Sequence, residues 1–167
     1  GFEQVEGVHY HESNIASPVT NDMSIRIIMV LALMASWTAK IVDVKGAFLH
    51  GEFEDNDEPI YMGVPQGFER HYATDVALLL GKTIYGLKNA ARAFWNELLK
   101  AFTKIGCDRS KADPCMYYEW TALGFLMVWL SWIDDCVCFG KDKDVEESRN
   151  KMKMMFDCDD VGDMDEY

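Results

Sequence analysis

Two adjacent carboxylates, Asp134 and Asp135, separate the apolar segments 125–133 and 136–139. The pattern predicts a hairpin whose strands are joined across the two carboxylates. Hairpin turns usually carry Asn-Gly or Asp-Gly, because Gly readily adopts a positive φ. Neighbouring carboxylates also repel each other unless a cation neutralises them. The pair therefore indicates a site for a divalent metal, with Mg²⁺ as the natural occupant. A solvated acidic turn is the structural alternative.

A third carboxylate is expected in such a site, and Asp43 meets the requirement. It lies near the end of the predicted strand 40–44, which is followed by the small or apolar residues Gly46, Ala47 and Phe48. Two metal ions held roughly 4 Å apart activate an attacking hydroxyl and stabilise a leaving pyrophosphate. The expected cofactor is a pair of Mg²⁺ ions, with Mn²⁺ as a substitute.

The elements that must position these carboxylates mix helices with strands. Residues 22–37 predict a mostly buried helix, apolar on nearly all sides, with Asp22 or Ser24 as its N-cap. A polar amphipathic helix is predicted at 143–156. The predicted strands are residues 40–44, 60–64, 76–80, 115–119, 125–133 and 136–139.

A further helix is predicted at 88–105 by its 3.6-residue periodicity. One face would form a core stripe of Ala91, Trp95, Leu98, Phe102 and Ile105. The opposite face carries Arg92, Asn96, Lys100 and Lys104. That polar face would meet either solvent or the phosphates of a nucleic acid.

The charge distribution bears on a nucleic-acid partner. A net charge of −12 argues against phosphate binding by the chain as a whole. The excess acid, however, lies in 52–58, 142–147 and 157–166, whereas 82–111 holds seven basic residues against Glu97 and Asp108. The middle of the chain is therefore locally positive.

Composition bounds the class of protein. With 167 residues and 49% hydrophobic content, one globular domain is the default expectation. The five cysteines form no CxxC pair, which favours reduced intracellular thiols over disulfides or zinc. Apolar runs fall short of the roughly 20 residues of a membrane helix, so no membrane association is expected. The first four residues show no signal peptide, and we expect the chain to be excised from a longer protein.

A phosphate-binding loop at Leu80-Gly81-Lys82-Thr83 is the competing enzymatic interpretation. Such a loop needs a Gly five positions before Gly81, where this chain has Val76 within a strand-like segment. The spacing therefore argues against a nucleotide hydrolase.

Several blocks of the chain resemble the reverse transcriptases of copia-type retrotransposons. Residues 43–51 read DVKGAFLHG and resemble the family's DVKxAFLxG. Residues 60–68 resemble IYMxxPxGF, residues 84–92 resemble LYGLKQAPR, and residues 132–135 stand where the family has YVDD. The blocks occur in the family's order, and the resemblance spans nearly the whole chain, with 156–167 as a diverged version of the downstream segment. The chain departs from the family in Trp132 for Tyr, Ala91 for Pro, and Cys136-Val137-Cys138 for a more aliphatic strand.

The resemblance implies roles for individual residues. The metal-binding positions would be Asp43, Val44, Asp134 and Asp135, of which the three aspartates are catalytic. The nucleotide-binding positions would be Phe48, Tyr85 and Gly86, with the Phe48 ring excluding a ribose 2′-hydroxyl. The nucleic-acid-binding positions would be Lys88, Arg92 and Trp132, to which the helix face would add Lys100 and Lys104.

The resemblance also implies the architecture and the biology. We expect an α+β polymerase palm, an antiparallel sheet flanked by helices, with part of the fingers. The domain would be partial, with basic fingers strands upstream and a thumb downstream both missing. Its substrates would be a primed RNA or DNA template and deoxynucleoside triphosphates, and its partners other Pol segments such as integrase and RNase H. The location would be the cytoplasm, in virus-like particles. A catalytically inactive remnant with a binding or structural role is the alternative.

Overall fold

The computed structural model describes residues 3–54 and 57–163, which form three α-helices and eight β-strands. The helices are α1 (Asp22–Ala35), α2 (Ala90–Ile105) and α3 (Asp142–Lys153). The strands are β1 (Thr38–Val44), β2 (Tyr61–Gly63), β3 (Ala77–Leu79), β4 (Asp108–Arg109), β5 (Met116–Trp120), β6 (Leu126–Trp132), β7 (Asp135–Gly140) and β8 (Cys158–Asp163).

The described residues divide into two compact units. The first contains the described residues up to Ala16 together with Phe48–Phe94, and the second contains Ser17–Ala47 and the described residues from Trp95 onward. Within the first unit, β2 and β3 pair as a short antiparallel ladder, with Tyr61 opposite Leu79. The strands predicted at 60–64 and 76–80 are therefore present, each one residue shorter at both ends.

The second unit is built on one antiparallel sheet with the strand order β4-β5-β6-β7-β1-β8. On one face, Ile28 and Ala32 of α1 pack against Val128, Leu130 and Phe139. The alternate residues of β6 point to the other face, as the two-residue period of a strand requires. There, Trp129 lies against Phe102 of α2 with 5.5 Å between ring centroids, and its indole donates a 3.0 Å hydrogen bond to Ser148 of α3.

This arrangement confirms the predicted α+β class with an antiparallel sheet flanked by helices. The two joined strands at 125–133 and 136–139 are also confirmed as the hairpin of β6 and β7. In α2, Trp95, Leu98 and Phe102 are buried as predicted, and Ala91 and Ile105 are partly buried. None of the helices in the described ranges is long and apolar enough to cross a membrane.

The prediction that α1 is mostly buried is wrong. Only Ile28 and Ala32 of this helix are buried, whereas Leu33 and Met34 are about 80% exposed. A helix that packs on one face of a sheet buries one stripe, whatever the polarity of its other sides. The N-cap is Asn21, whose side chain accepts from the N–H of Met23, so the predicted caps Asp22 and Ser24 are also wrong.

Strand β8 was not predicted. Its sequence, Cys158–Asp163, is rich in Asp, which is depleted in strands. Pairing with β1 supplies its hydrogen bonds and overrides the local preference. Residues 55–56 of the acidic segment 52–58, and residues 164–167 of the downstream segment 156–167, lie outside the described residues.

Candidate active site

Asp43 and Asp135 are brought together by the pairing of β1 with β7. The register places these two residues directly opposite each other. Asp134 is tied to the same place by its main chain, since its carbonyl accepts a 3.0 Å hydrogen bond from the N–H of Val44. The four positions predicted to bind metal therefore converge at one end of two adjacent strands, although they come from distant parts of the sequence.

The turn between β6 and β7 differs from the prediction. Trp132 pairs with Asp135, so the turn residues are Ile133 and Asp134, and Asp135 already belongs to β7. The prediction that the strands are joined across Asp134 and Asp135 is therefore wrong by one residue. Ile133 has φ +57°, a left-handed conformation that is strained for a β-branched side chain. The chain accepts this strain in the residue that precedes Asp134.

The carboxylates are close enough to influence one another. Burial raises the pKa of Asp135, and repulsion from Asp134 and then Asp43 raises it further. A cation bound among these groups would relieve the repulsion. The electrostatics therefore fit the predicted role of the cluster.

The donor set suits Mg²⁺, although the side chains form no ready cage. In the described ranges, no group of three or more His, Cys, Asp or Glu side chains is spaced to hold a metal ion. Mg²⁺ does not require such a cage, because it usually binds one or two carboxylates and keeps water and substrate phosphate in its shell. Asp43, Asp134 and Asp135 would be the residues that hold it.

A fourth carboxylate borders this cluster and was missed by the sequence analysis. Asp159 of β8 lies opposite Asp43 on the other side of β1. Its side chain forms a 2.7 Å ion pair with Lys45, which also contacts Asp157 at 3.6 Å. The hydrogen bond to Asp159 is the main reason that the pKa of Lys45 is raised. Only the strand pairing reveals this neighbour, because β8 has no strand signal of its own.

The predicted nucleotide-binding residues lie together in the first unit. The rings of Phe48 and Tyr85 are 5.0 Å apart between centroids and inclined by 59°. Phe48 is partly buried, whereas Tyr85 is 56% exposed. Gly86 follows with φ +90°, a conformation that favours Gly at this position.

The predicted nucleic-acid-binding residues occur in both units. Lys88 is exposed, and its main-chain N–H donates to the side chain of Gln4. Arg92 is partly buried and donates to the carbonyl of Ala16 at 3.4 Å. On the remainder of α2, Lys100 and Lys104 are both exposed and one turn apart, and Lys100 is paired with Glu97 at 2.6 Å. Trp132, 45% exposed, lies at the end of β6 beside Asp135.

Thr83 is a buried polar residue of the segment 80–83, whose interpretation as a phosphate loop the spacing argues against. Its side chain is 1% exposed, and its hydroxyl donates to the carbonyl of Phe48 at 2.6 Å. The preceding Lys82 is oriented towards Glu52, with 3.9 Å between charged atoms. The hydroxyl is therefore engaged inside the protein, which agrees with the rejection of the phosphate-loop interpretation.

Comparison with known proteins identifies the family. The family described as reverse transcriptase (RNA-dependent DNA polymerase) matches residues 1–167. The chain is 35% identical over 97% of its length to the retrovirus-related Pol polyprotein from transposon TNT 1-94 of Nicotiana tabacum, and 34% identical over 85% to that from transposon RE2 of Arabidopsis thaliana.

The matched region is a small part of these relatives, 12% of the tobacco polyprotein and 9% of the Arabidopsis one. No solved structure matches the chain. The order of the sequence blocks, the antiparallel α+β fold and the two relatives all indicate the same family. The chain belongs to the reverse transcriptase family of copia-type retrotransposon Pol polyproteins.

Proposed function

We propose that this chain carries the nucleotidyl-transfer site of an RNA-directed DNA polymerase, with Asp43, Asp134 and Asp135 as its metal-binding carboxylates. One observation carries the proposal. Asp43 lies directly opposite Asp135, while the N–H of Val44 holds the main chain of Asp134 at the same end of the sheet. Burial, Asp134 and Asp43 raise the pKa of Asp135, and a carboxylate in such surroundings is suited to a cationic partner.

Two Mg²⁺ ions at this site would supply the positive charge that activates a primer 3′-hydroxyl and stabilises the leaving pyrophosphate. The protein's contribution is the placement of oxygen ligands. Asp43 and Asp135 lie on neighbouring strands, which hold their main chains rigidly, and the hydrogen bond from Val44 limits movement of the turn at Asp134. Rigid placement of charged groups before the reaction is the usual source of electrostatic catalysis.

Substrate binding is assigned to further residues of the chain. Phe48 and Tyr85 would contact the sugar and base of the incoming deoxynucleotide, and Gly86 would allow its phosphates close to the main chain. Lys88, Arg92, Lys100 and Lys104 would contact the phosphates of the template and primer, and Trp132 would pack against the primer end. We assign the sheet with the three aspartates to a polymerase palm and the first unit to part of the fingers.

Primer extension by a reverse transcriptase that includes the neighbouring Pol segments tests the metal ligands. Asp43→Asn and Asp134→Asn should each lower Mg²⁺-dependent incorporation by at least the factor of about 10² to 10³ that follows loss of one electrostatic group. Asp108→Asn, on β4 at the far edge of the sheet, is the control and should retain activity. Binding of Mn²⁺ by electron paramagnetic resonance gives a second readout that does not depend on turnover. Near-normal extension by either variant would overturn the assignment.

A catalytically inactive remnant is the competing function, and the replacements Trp132 and Ala91 favour it. Trp132 is bulkier than the Tyr of the family, and Ala91 removes the conformational restriction of Pro. Wild-type protein that binds primed template but extends no primer at any Mg²⁺ or Mn²⁺ concentration would support this alternative. In the polymerase role, the partners would be integrase and RNase H segments of the same polyprotein, within cytoplasmic virus-like particles.

A further inference from the structure

We propose that Thr83 is a positioning residue for sugar selection, because its buried hydroxyl fixes the main chain that carries the Phe48 ring. The inference rests on the proposed role of Phe48 at the nucleotide. It extends that role to a residue that lies in the core and is too buried to touch a substrate itself.

The hydrogen bonds around Thr83 identify the partner of its hydroxyl proton. The hydroxyl oxygen lies 2.6 Å from the carbonyl oxygen of Phe48 and 3.2 Å from that of Gly51. A hydroxyl has one proton to donate. The carbonyl of Gly51 already accepts the main-chain N–H of Thr83 at 2.9 Å. The hydroxyl proton is therefore directed to Phe48, and Thr83 holds both ends of the segment 48–51.

The hydrogen bonds from Thr83 to Phe48 and Gly51 lie in a tightly packed region. A Cβ atom at Gly51 would come within 2.4 Å of the Thr83 hydroxyl oxygen and 2.9 Å of Ala93 Cβ. Gly51 therefore permits the close approach on which the hydrogen bonds depend. A water molecule that could replace a deleted hydroxyl would need space of its own and several polar partners. Loss of the hydroxyl would leave the Phe48 carbonyl without this donor.

The hydrogen bond from Thr83 to Phe48 and the contact between the Phe48 and Tyr85 rings are linked through a short stretch of chain. Thr83 binds the main chain of Phe48, and Tyr85, two residues later, lies against the Phe48 ring at 5.0 Å. A displaced Phe48 main chain would thus shift the ring relative to Tyr85. Rejection of a 2′-hydroxyl by contact depends on positions held within about 0.5 Å, so a small displacement is sufficient to weaken selection.

Relative incorporation of deoxynucleotides and ribonucleotides tests the inference. In the reverse transcriptase with its neighbouring Pol segments, kcat/KM would be measured for dNTP and rNTP with Thr83→Val and Thr83→Ser. Thr83→Val keeps the branched shape and removes the hydroxyl, and should lower the dNTP-to-rNTP ratio roughly two- to tenfold, the effect of one neutral hydrogen bond. Thr83→Ser retains the hydroxyl and should keep the ratio. Thr103→Val, which removes an exposed hydroxyl bonded to Leu99, controls for loss of a Thr hydroxyl elsewhere.

Two outcomes of this comparison would overturn the inference. One is an unchanged ratio in folded, active Thr83→Val, and the other is an equal fall in the Val and Ser variants, since the hydroxyl would then not be the cause. Where Thr83→Val does not fold, Thr83→Cys replaces it, because a thiol is a much weaker donor, and its ratio is judged in the same way.

The Phe48→Val background separates this inference from the proposed function. If Thr83 acts through Phe48, Thr83→Val should change the ratio no further once the ring is absent, and an independent additional fall would overturn the inference. If Phe48→Val alone leaves the ratio unchanged, the proposed role of Phe48 fails, and the inference about Thr83 fails with it. If Phe48→Val lowers the ratio but Thr83→Val does not, only the inference fails.

Discussion

Asp43 of β1 and Asp135 of β7 are direct cross-strand neighbours in a six-stranded antiparallel sheet formed by the described residues. Like charges directly opposite each other destabilise a strand pair. Asp134, whose main chain is held by Val44, adds a third negative charge. These like charges at the end of the β1–β7 ladder therefore lower the stability of the sheet.

We expect Asp135→Asn to stabilise the fold at neutral pH in buffer free of divalent cations. Because the pKa of Asp135 is raised by burial and by Asp134 and Asp43, the folded chain binds this proton more tightly than the unfolded chain does. Stability therefore falls as the pH rises from the unfolded value to the raised folded one, and the ionised group is unfavourable above that window. Thermal unfolding should show a higher Tm for the variant at neutral pH and no difference below the window.

Added Mg²⁺ should make the wild-type protein more stable than Asp135→Asn, because a ligand that binds only the folded state stabilises that state. Wild-type protein should gain Tm with Mg²⁺, and Asp135→Asn should gain less. If Asp135→Asn is no more stable than wild type in metal-free buffer, then repulsion of Asp135 by Asp134 and Asp43 does not destabilise the fold, and the prediction is wrong.

We expect Phe48→Val to weaken the preference for deoxynucleotides, because the smaller side chain would leave room for a ribose 2′-hydroxyl. The ratio of dNTP to rNTP incorporation should fall roughly 10- to 100-fold, the range by which pocket size discriminates between substrates. Phe68→Val is a matched control, since Phe68 also contacts another ring in the first unit, that of His71. An unchanged ratio with retained activity would mean that Phe48 is an ordinary packing residue.

Replacement of the strained turn residue should stabilise the chain. Ile133 has φ +57° and a partly exposed side chain, so Ile133→Gly removes strain and little buried surface. The free energy of unfolding, measured with denaturant, should rise by about 1 kcal/mol. Ile27→Gly on the exposed side of α1 provides the contrast, because Gly in a helix interior should lower stability by about 1 kcal/mol. A loss of stability in both variants would show that the contacts of the Ile133 side chain stabilise the fold by more than the strain at Ile133 destabilises it.

The two exposed lysines of α2 should contribute unequally to binding of primed template. Lys100 is paired with Glu97 at 2.6 Å, so part of its charge is already neutralised. Lys104→Gln should reduce the slope of log affinity against log salt by about 0.9, as for one phosphate contact, and Lys100→Gln should reduce it less. Glu97→Gln should raise the affinity. Equal effects of the two lysine variants would show that the ion pair opens on binding.

The residues of the candidate site could be proposed from the sequence, whereas their geometry could not. Two adjacent carboxylates between apolar strands, together with the family blocks around them, suggested a metal site, which stays a prediction. The turn was misplaced by one residue because a β-branched Ile at positive φ contradicts local preference. Asp159 and Thr83 were missed because their importance arises from strand pairing and from contacts with residues distant in sequence. The exposure of α1 depends on which of its apolar sides meets the sheet, and the composition of the helix carries no such information.

The position of β1 between β7 and β8 has a consequence for synthesis on the ribosome. Both neighbours of β1 follow it by about 90 residues or more, so the strand that carries Asp43 emerges long before either can pair with it. At roughly 5 to 20 residues per second, this interval lasts on the order of 5 to 20 seconds. The β6–β7 hairpin, by contrast, is local and can form as soon as it leaves the exit tunnel. During translation, the nascent chain therefore exposes β1 as an unpaired strand until β7 and β8 have been made.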